Sequence, residues 1–98
     1  MQKITLDAYV IDVLMPDLVG HDRRPATFVV YLFLLTAATR LRRDTVGVSL
    51  QTIAVKTGLS KSAVQGALRH LKRRGLIDPD LDSTTASPRR RVLRPWLR

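Results

Sequence analysis

The 98-residue chain contains no cysteine and no glutamate. Without cysteine there is no disulfide framework, no thiolate zinc site and no cysteine nucleophile, a composition that fits a reducing cytosol. Without glutamate, every acidic group is an aspartate. The two histidines, His21 and His70, fall on an expected loop and an expected basic helix, and no nucleophile stands at a matching spacing from a base. Catalysis therefore has little to work with, and no enzymatic function, cofactor or metal is expected. Long hydrophobic runs are missing too. The apolar stretch from Phe28 to Leu35 is far shorter than the roughly 20 residues a membrane span needs, and Arg40, Arg42 and Arg43 follow it closely. The N-terminal MQKITLDAYVIDV carries aspartates where a signal peptide would be uninterruptedly apolar. The reading is an unprocessed cytoplasmic chain.

Positive charge is abundant. The net charge is +9, and residues 59–98 hold ten basic and three acidic side chains against seven and five in residues 1–58. An excess gathered in the C-terminal half suits an anionic partner, nucleic acid or a membrane surface. The length is that of one domain, near the size where a core is adequate but not generous, so a partner chain could contribute to stability.

Along the chain, Leu6, Val10, Val13 and Leu14 recur at helical spacing within Thr5–Leu14, and Pro16 is expected to block continuation. An alternating reading through Tyr9, Ile11 and Val13 would instead make a strand. PDLVGHDRRP reads as a loop, with Pro25 suited to the first turn of the next helix. From Pro25 to about Arg43 the sequence predicts a long helix apolar on every side, which must be covered all round. TVGVS is short and extended. Ser49 is placed to cap a helix from Leu50 to about Thr57 with a stripe of Leu50, Ile53 and Ala54, and Gly58 can end it in a left-handed conformation with Leu59 plugging the turn. Ser60 caps a further helix to about Arg74, and Gly75 stops it. Leu76 and Ile77 then start a strand, DPDLDSTTASP is a long loop, and RRRVLRP returns as the second arm of a hairpin, with Trp96 and Leu97 folding back as an apolar anchor.

Two short helices separated by a tight glycine-containing turn, the second amphipathic and basic, make a helix-turn-helix. On that second helix Val64, Ala67, Leu68 and Leu71 share one face, and Ser62, Gly66, Arg69 and Arg73 point the other way, flanked by Lys61, Gln65 and His70. The stretch SLQTIAVKTGLSKSAVQGALRHLKRRGLI resembles the winged helix-turn-helix of bacterial transcription regulators, particularly the gluconate-repressor-type (GntR) and MarR-type modules. The likeness covers about residues 46–94 and rests on an aliphatic followed by Ala in the first helix, Thr-Gly-Leu-Ser at the turn, and Gly-Leu-Ile entering the strand. It implies a mainly α fold with a small β-hairpin wing (α+β) and an extra N-terminal helix: one domain comprising an N-terminal helix and loop (1–24), a long apolar helix (25–45), the helix-turn-helix and wing (46–94) and a tail (95–98).

The resemblance also implies a sequence-specific, double-stranded-DNA-binding, nucleoid-associated regulator whose recognition helix, about residues 60–74, enters the major groove. Lys61, Ser62 and Gln65 would then face base edges, with Ser60 beside them among the DNA-binding residues: Gln can pair bidentately with adenine, Lys can reach guanine acceptors, and Ser is adaptable. Arg69 and Arg73 would meet phosphates, and Arg89, Arg90 and Arg91 on the returning strand would meet the backbone or minor groove. Gly66 departs from the bulky basic residue often found there in gluconate-repressor-type modules. A homodimer through the N-terminal helices is expected. The alternative is a protein-interaction adaptor or nonspecific DNA-binding protein of a replication, plasmid or phage system, against which the polar helix face lacks aromatic anchors. A calcium loop at Asp78, Asp80 and Asp82 fails because Ser83 stands where glycine should be and Arg89 where the bidentate carboxylate belongs. His21 beside Asp22 reads as a loop hydrogen bond rather than a metal site.

Overall fold

A computed structural model describes residues 2–78 and 88–97. The chain is mainly helical with a small antiparallel sheet. An N-terminal helical run is followed by α1 (Pro25–Leu41), β1 (Thr45–Gly47), α2 (Leu50–Thr57), α3 (Lys61–Arg73) and β2 (Arg89–Arg91).

The N-terminal run departs from the expected helix–loop division. Thr5 to Asp7 are not helical, and the helix then crosses Pro16 as two wide-turn segments, Val10–Leu14 and Pro16–His21. The amides of Met15 and Asp22 each bond the carbonyl five residues back, on Val10 and Asp17, as in a π-helix. Pro16 takes the first position of the second segment, the helix position at which proline is best tolerated. PDLVGHDRRP is thus largely helix, and Val10, Leu14 and Leu18 are driven into the core while Val13 faces out.

Pro25 opens α1 as expected. The helix ends at Arg42, which adopts a left-handed φ of 54°, and the Arg43 amide closes back onto Ala38. Thr27, Phe28, Val30, Tyr31, Leu34, Leu35 and Ala38 are buried, so α1 is the central post of the domain, packed by α3, by the N-terminal run and by α2. The coverage is incomplete. Val29 stays 38% exposed, and Leu32 and Phe33 are only half-buried.

The local signals around α2 and α3 behave as their chemistry dictates. The Ser49 hydroxyl accepts from the Thr52 amide and Ser60 from Ala63, each satisfying an otherwise orphaned first-turn donor. Gly58 closes α2 at φ 80°, a conformation that costs a side-chain-bearing residue about 1–2 kcal/mol. Val64, Ala67, Leu68 and Leu71 form the buried stripe of α3, meeting α1 and α2. Val64 and Leu71, both fully buried, each contribute roughly 1.5–3 kcal/mol.

The returning strand has neighbours on both sides. Thr45, Val46 and Gly47 of β1 pair with Arg91, Arg90 and Arg89 of β2, while Ile77 bridges Val92 on the other flank, backed by bonds from Asp78 N–H to Arg91 O (3.0 Å) and Leu93 N–H to Leu76 O (2.9 Å). The expected pairing of Leu76–Ile77 with the returning arm is therefore present, and TVGVS supplies an additional strand. The intervening loop, with Asp80 and Asp82, lies outside the described residues. Tyr31 ties α1 to this sheet by donating its hydroxyl to the Leu93 carbonyl (2.6 Å). At the terminus, Trp96 stacks on Tyr9 (4.8 Å between centroids) and donates Nε1–H to Asp7, whereas Leu97 is exposed.

Candidate nucleic-acid interface

The apolar stripe fixes the rotation of α3, and rotation decides which side chains reach solvent. Lys61, Ser62, Gln65, Arg69, Lys72 and Arg73 are all exposed, with Gly66 at the margin of the same face. Among the described residues Lys61, Arg69, Lys72 and Arg73 form no ion pair. Their charges remain available to an anion. Ser60 is also exposed, but its oxygen is engaged as the cap of α3 and lies 3.3 Å from the Ser62 hydroxyl.

The three arginines of β2 separate into three environments. Arg89 is exposed and unpaired among the described residues. Arg90 turns inward: its guanidinium donates to the carbonyls of Val48 and Pro88, and burial lowers its pKa, although a guanidinium stays charged. Arg91 is held between two aspartates, 3.2 Å from Asp78 and 3.9 Å from Asp44. Alternation along a strand places residues 89 and 91 on one face and 90 on the other.

Behind α3 lies a polar clasp that sequence reading placed wrongly. His70 is not a flank of the outer face but a buried group, 7% exposed. Its Nδ1 lies 3.0 Å from the Thr27 hydroxyl, and its Nε2 lies 2.9 Å from Asp22 Oδ2 as an ion-pair contact rather than an aligned hydrogen bond. The helical phase held a clue, since residue 70 falls beside Ala67 at the border of the apolar stripe. His21 Nδ1 hydrogen-bonds Asp22 (2.8 Å), as expected, and Arg74 pairs with both Asp17 and Asp22. The Asp22 carboxyl is consequently held below its ordinary pKa, chiefly by the His21 hydrogen bond, with burial opposing and Arg74 and His70 adding to the depression.

Two chemical readings of this cluster fail on geometry. Hydroxyl, imidazole and carboxylate line up as in a nucleophilic relay, but Thr27 is 1% exposed and no substrate carbonyl can reach its oxygen. Asp17, His21 and Asp22 come close enough to bracket a cation, yet Arg74 already pairs with both carboxylates.

Sequence reading also missed Arg23 and Arg24. Both are exposed and free of ion pairs among the described residues, and they border an open cleft of about 380 Å³ that continues through Pro25–Thr27 onto Ser62, Ala63, Gly66 and Ala67 of α3. The adjacent basic pair was the available signal, but only folding brings it beside α3. A comparison with protein families, with curated proteins and with solved structures found no match to this chain. Among the described residues no helix is long and apolar enough to cross a membrane.

Proposed function

We propose that this chain is a winged helix-turn-helix regulator that binds double-stranded DNA in a sequence-specific manner, with α3 in the major groove and the strand arms at the backbone. The observation that carries the reading is the division of α3: one face is buried in the core, and the other is polar, exposed and lined by cations that form no ion pair among the described residues. A row of exposed cations without ion pairs among the described residues is suited to phosphates, and Lys61, Ser62 and Gln65 near the N-terminus of α3 have the donors and acceptors for base edges. Arg89 is the arm residue suited to a phosphate, because Arg90 and Arg91 are engaged within the protein. The incompletely covered face of α1 around Val29, Leu32 and Phe33, with exposed Ile11, Met15 and Val19 on the N-terminal run, supports a homodimer, which would place two recognition helices for a two-fold site.

The test separates reading from sticking. After selection of a preferred duplex from a random pool, Gln65→Ala or Lys61→Ala should cost about 1–3 kcal/mol on that duplex and little on random DNA, whereas Arg69→Ala and Arg73→Ala should weaken both and flatten the salt dependence by about one unit per lost phosphate contact. If all four variants weaken both duplexes equally, binding is nonspecific and the regulator reading falls.

A further inference from the structure

We propose that the cleft between the Arg23–Thr27 corner and α3 is a seat for the sugar-phosphate backbone of duplex DNA, gripped by Arg23 and Arg24 and floored by Gly66. The proposal rests on the DNA-binding reading above and adds to α3 and the strand arms a third contact element, contributed by the segment that leads into α1.

Gly66 is the first observation. Glycine is the least helix-favouring residue after proline, and it sits in the interior of the thirteen-residue α3. Nothing among the described residues requires it there. A Cβ built at position 66 meets only the mobile end of Arg69, at 3.8 Å, an ordinary contact, and the backbone is not left-handed. The chain therefore carries a helix-weakening residue at a point where its own packing would accept alanine or a larger side chain. A close approach from outside the chain accounts for it, because removing the side chain lets a ligand lie against the helix backbone.

The second observation is charge. The wall opposite Gly66 is made by Arg23 and Arg24, which point no charge at any carboxylate among the described residues, although Asp17 and Asp22 lie close in sequence. Those two aspartates are instead drawn to Arg74 and the histidines. The outcome is a cleft bordered on one side by two arginines without ion pairs among the described residues, on the other by Ser62 and Gly66, with no acidic residue among those that line it. Guanidiniums match phosphate oxygens in a planar, bidentate way, and a duplex whose major groove receives α3 must run one of its backbones along a flank of that helix. Gly66 and Ser62 mark the flank that faces the cleft.

The corner itself is set by folding. Arg23 adopts a left-handed φ of 55° and the Arg24 amide bonds back to the Leu18 carbonyl at 2.8 Å, so both side chains leave a closed turn rather than a free loop. His70, reaching from α3 to Asp22 and Thr27 on either side of this turn, joins the corner to the helix that carries the recognition face.

Two variants with independent failure modes test the seat. The double variant Arg23→Gly/Arg24→Gln removes both charges while giving position 23 a residue at home in the left-handed region. Gly66→Leu fills the floor with a good helix former. Thermal melts and duplex affinity at several salt concentrations are measured for both, beside the wild type and Gln65→Ala. The expected result is undiminished melting temperature in both variants, a salt slope lowered by about two for the arginine pair, and at least tenfold weaker duplex binding for Gly66→Leu. Wild-type affinity and slope in both variants, with Gln65→Ala still impaired on its preferred duplex, would overturn the seat and leave the function of α3 standing. A wild type that binds no duplex would overturn both.

Discussion

The clasp between Thr27 and His70 makes a quantitative demand on stability. Thr27→Val keeps the shape of the side chain and replaces only the hydroxyl, leaving the buried imidazole Nδ1 without its partner at 3.0 Å. A buried polar group stripped of its hydrogen bond costs about 1–3 kcal/mol, a large share of the roughly 5–15 kcal/mol that stabilises a small domain. At about 4–8 °C per kcal/mol for a chain near this length, the melting temperature should fall by roughly 4–24 °C. A loss that size could also come from a packing defect, so the assay is a double-mutant cycle with His70→Phe, read by urea unfolding. Asp22 keeps its place across both Thr27 arms and drops out of the coupling. Removing the second partner should then cost much less once the first is gone, with a coupling of at least about 0.5 kcal/mol and up to about 3. Losses that add within about 0.3–0.5 kcal/mol would refute the clasp, since independent sites behave that way.

Leu71 is fully buried at the junction of α3 with the core, and Leu71→Ala should cost about 2–5 kcal/mol; an unchanged urea midpoint would contradict the facing of α3. The lowered pKa of Asp22 means that its contribution to stability is complete above the ordinary aspartate value near ~3.9 and is lost as the pH falls through the depressed folded-state value. Urea midpoints taken downward from neutral pH should therefore fall more steeply for the wild type than for Asp22→Asn, and parallel curves would count against the assignment. Burial pushes the Tyr31 phenol up, beyond its ordinary range, so its stabilising contribution holds below a pH of about 10 and is lost only as the pH rises toward the folded-state value. In Tyr9→Phe, where Tyr31 is the remaining tyrosine, phenolate absorbance should appear only together with loss of helical circular dichroism; phenolate formation in the folded protein would sink that account.

What the sequence determined by itself lies within a turn or two of chain. Ser49, Gly58 and Ser60 cap or close their helices through atoms no more than four residues away, and the stripe of Val64, Ala67, Leu68 and Leu71 is a property of helical pitch alone, so the exposure of Lys61, Gln65, Arg69 and Arg73 followed from spacing. Pro16 marks where such local rules stop, because a proline that ends an α-helix can open a wider turn when the residues beyond it, here Leu18, have a core to enter. Tertiary structure decided the rest. The second neighbour of the returning strand, the Tyr31 hydroxyl on Leu93, the meeting of Trp96 with Tyr9 and Asp7, the burial of His70 against Thr27 and Asp22, and the division of labour among Arg89, Arg90 and Arg91 all join groups far apart in sequence. Composition counts such arginines and histidines as equal charges on a surface. Only the packed chain, by supplying a carbonyl or a carboxylate to some and open solvent to others, determines which of them remain free to bind.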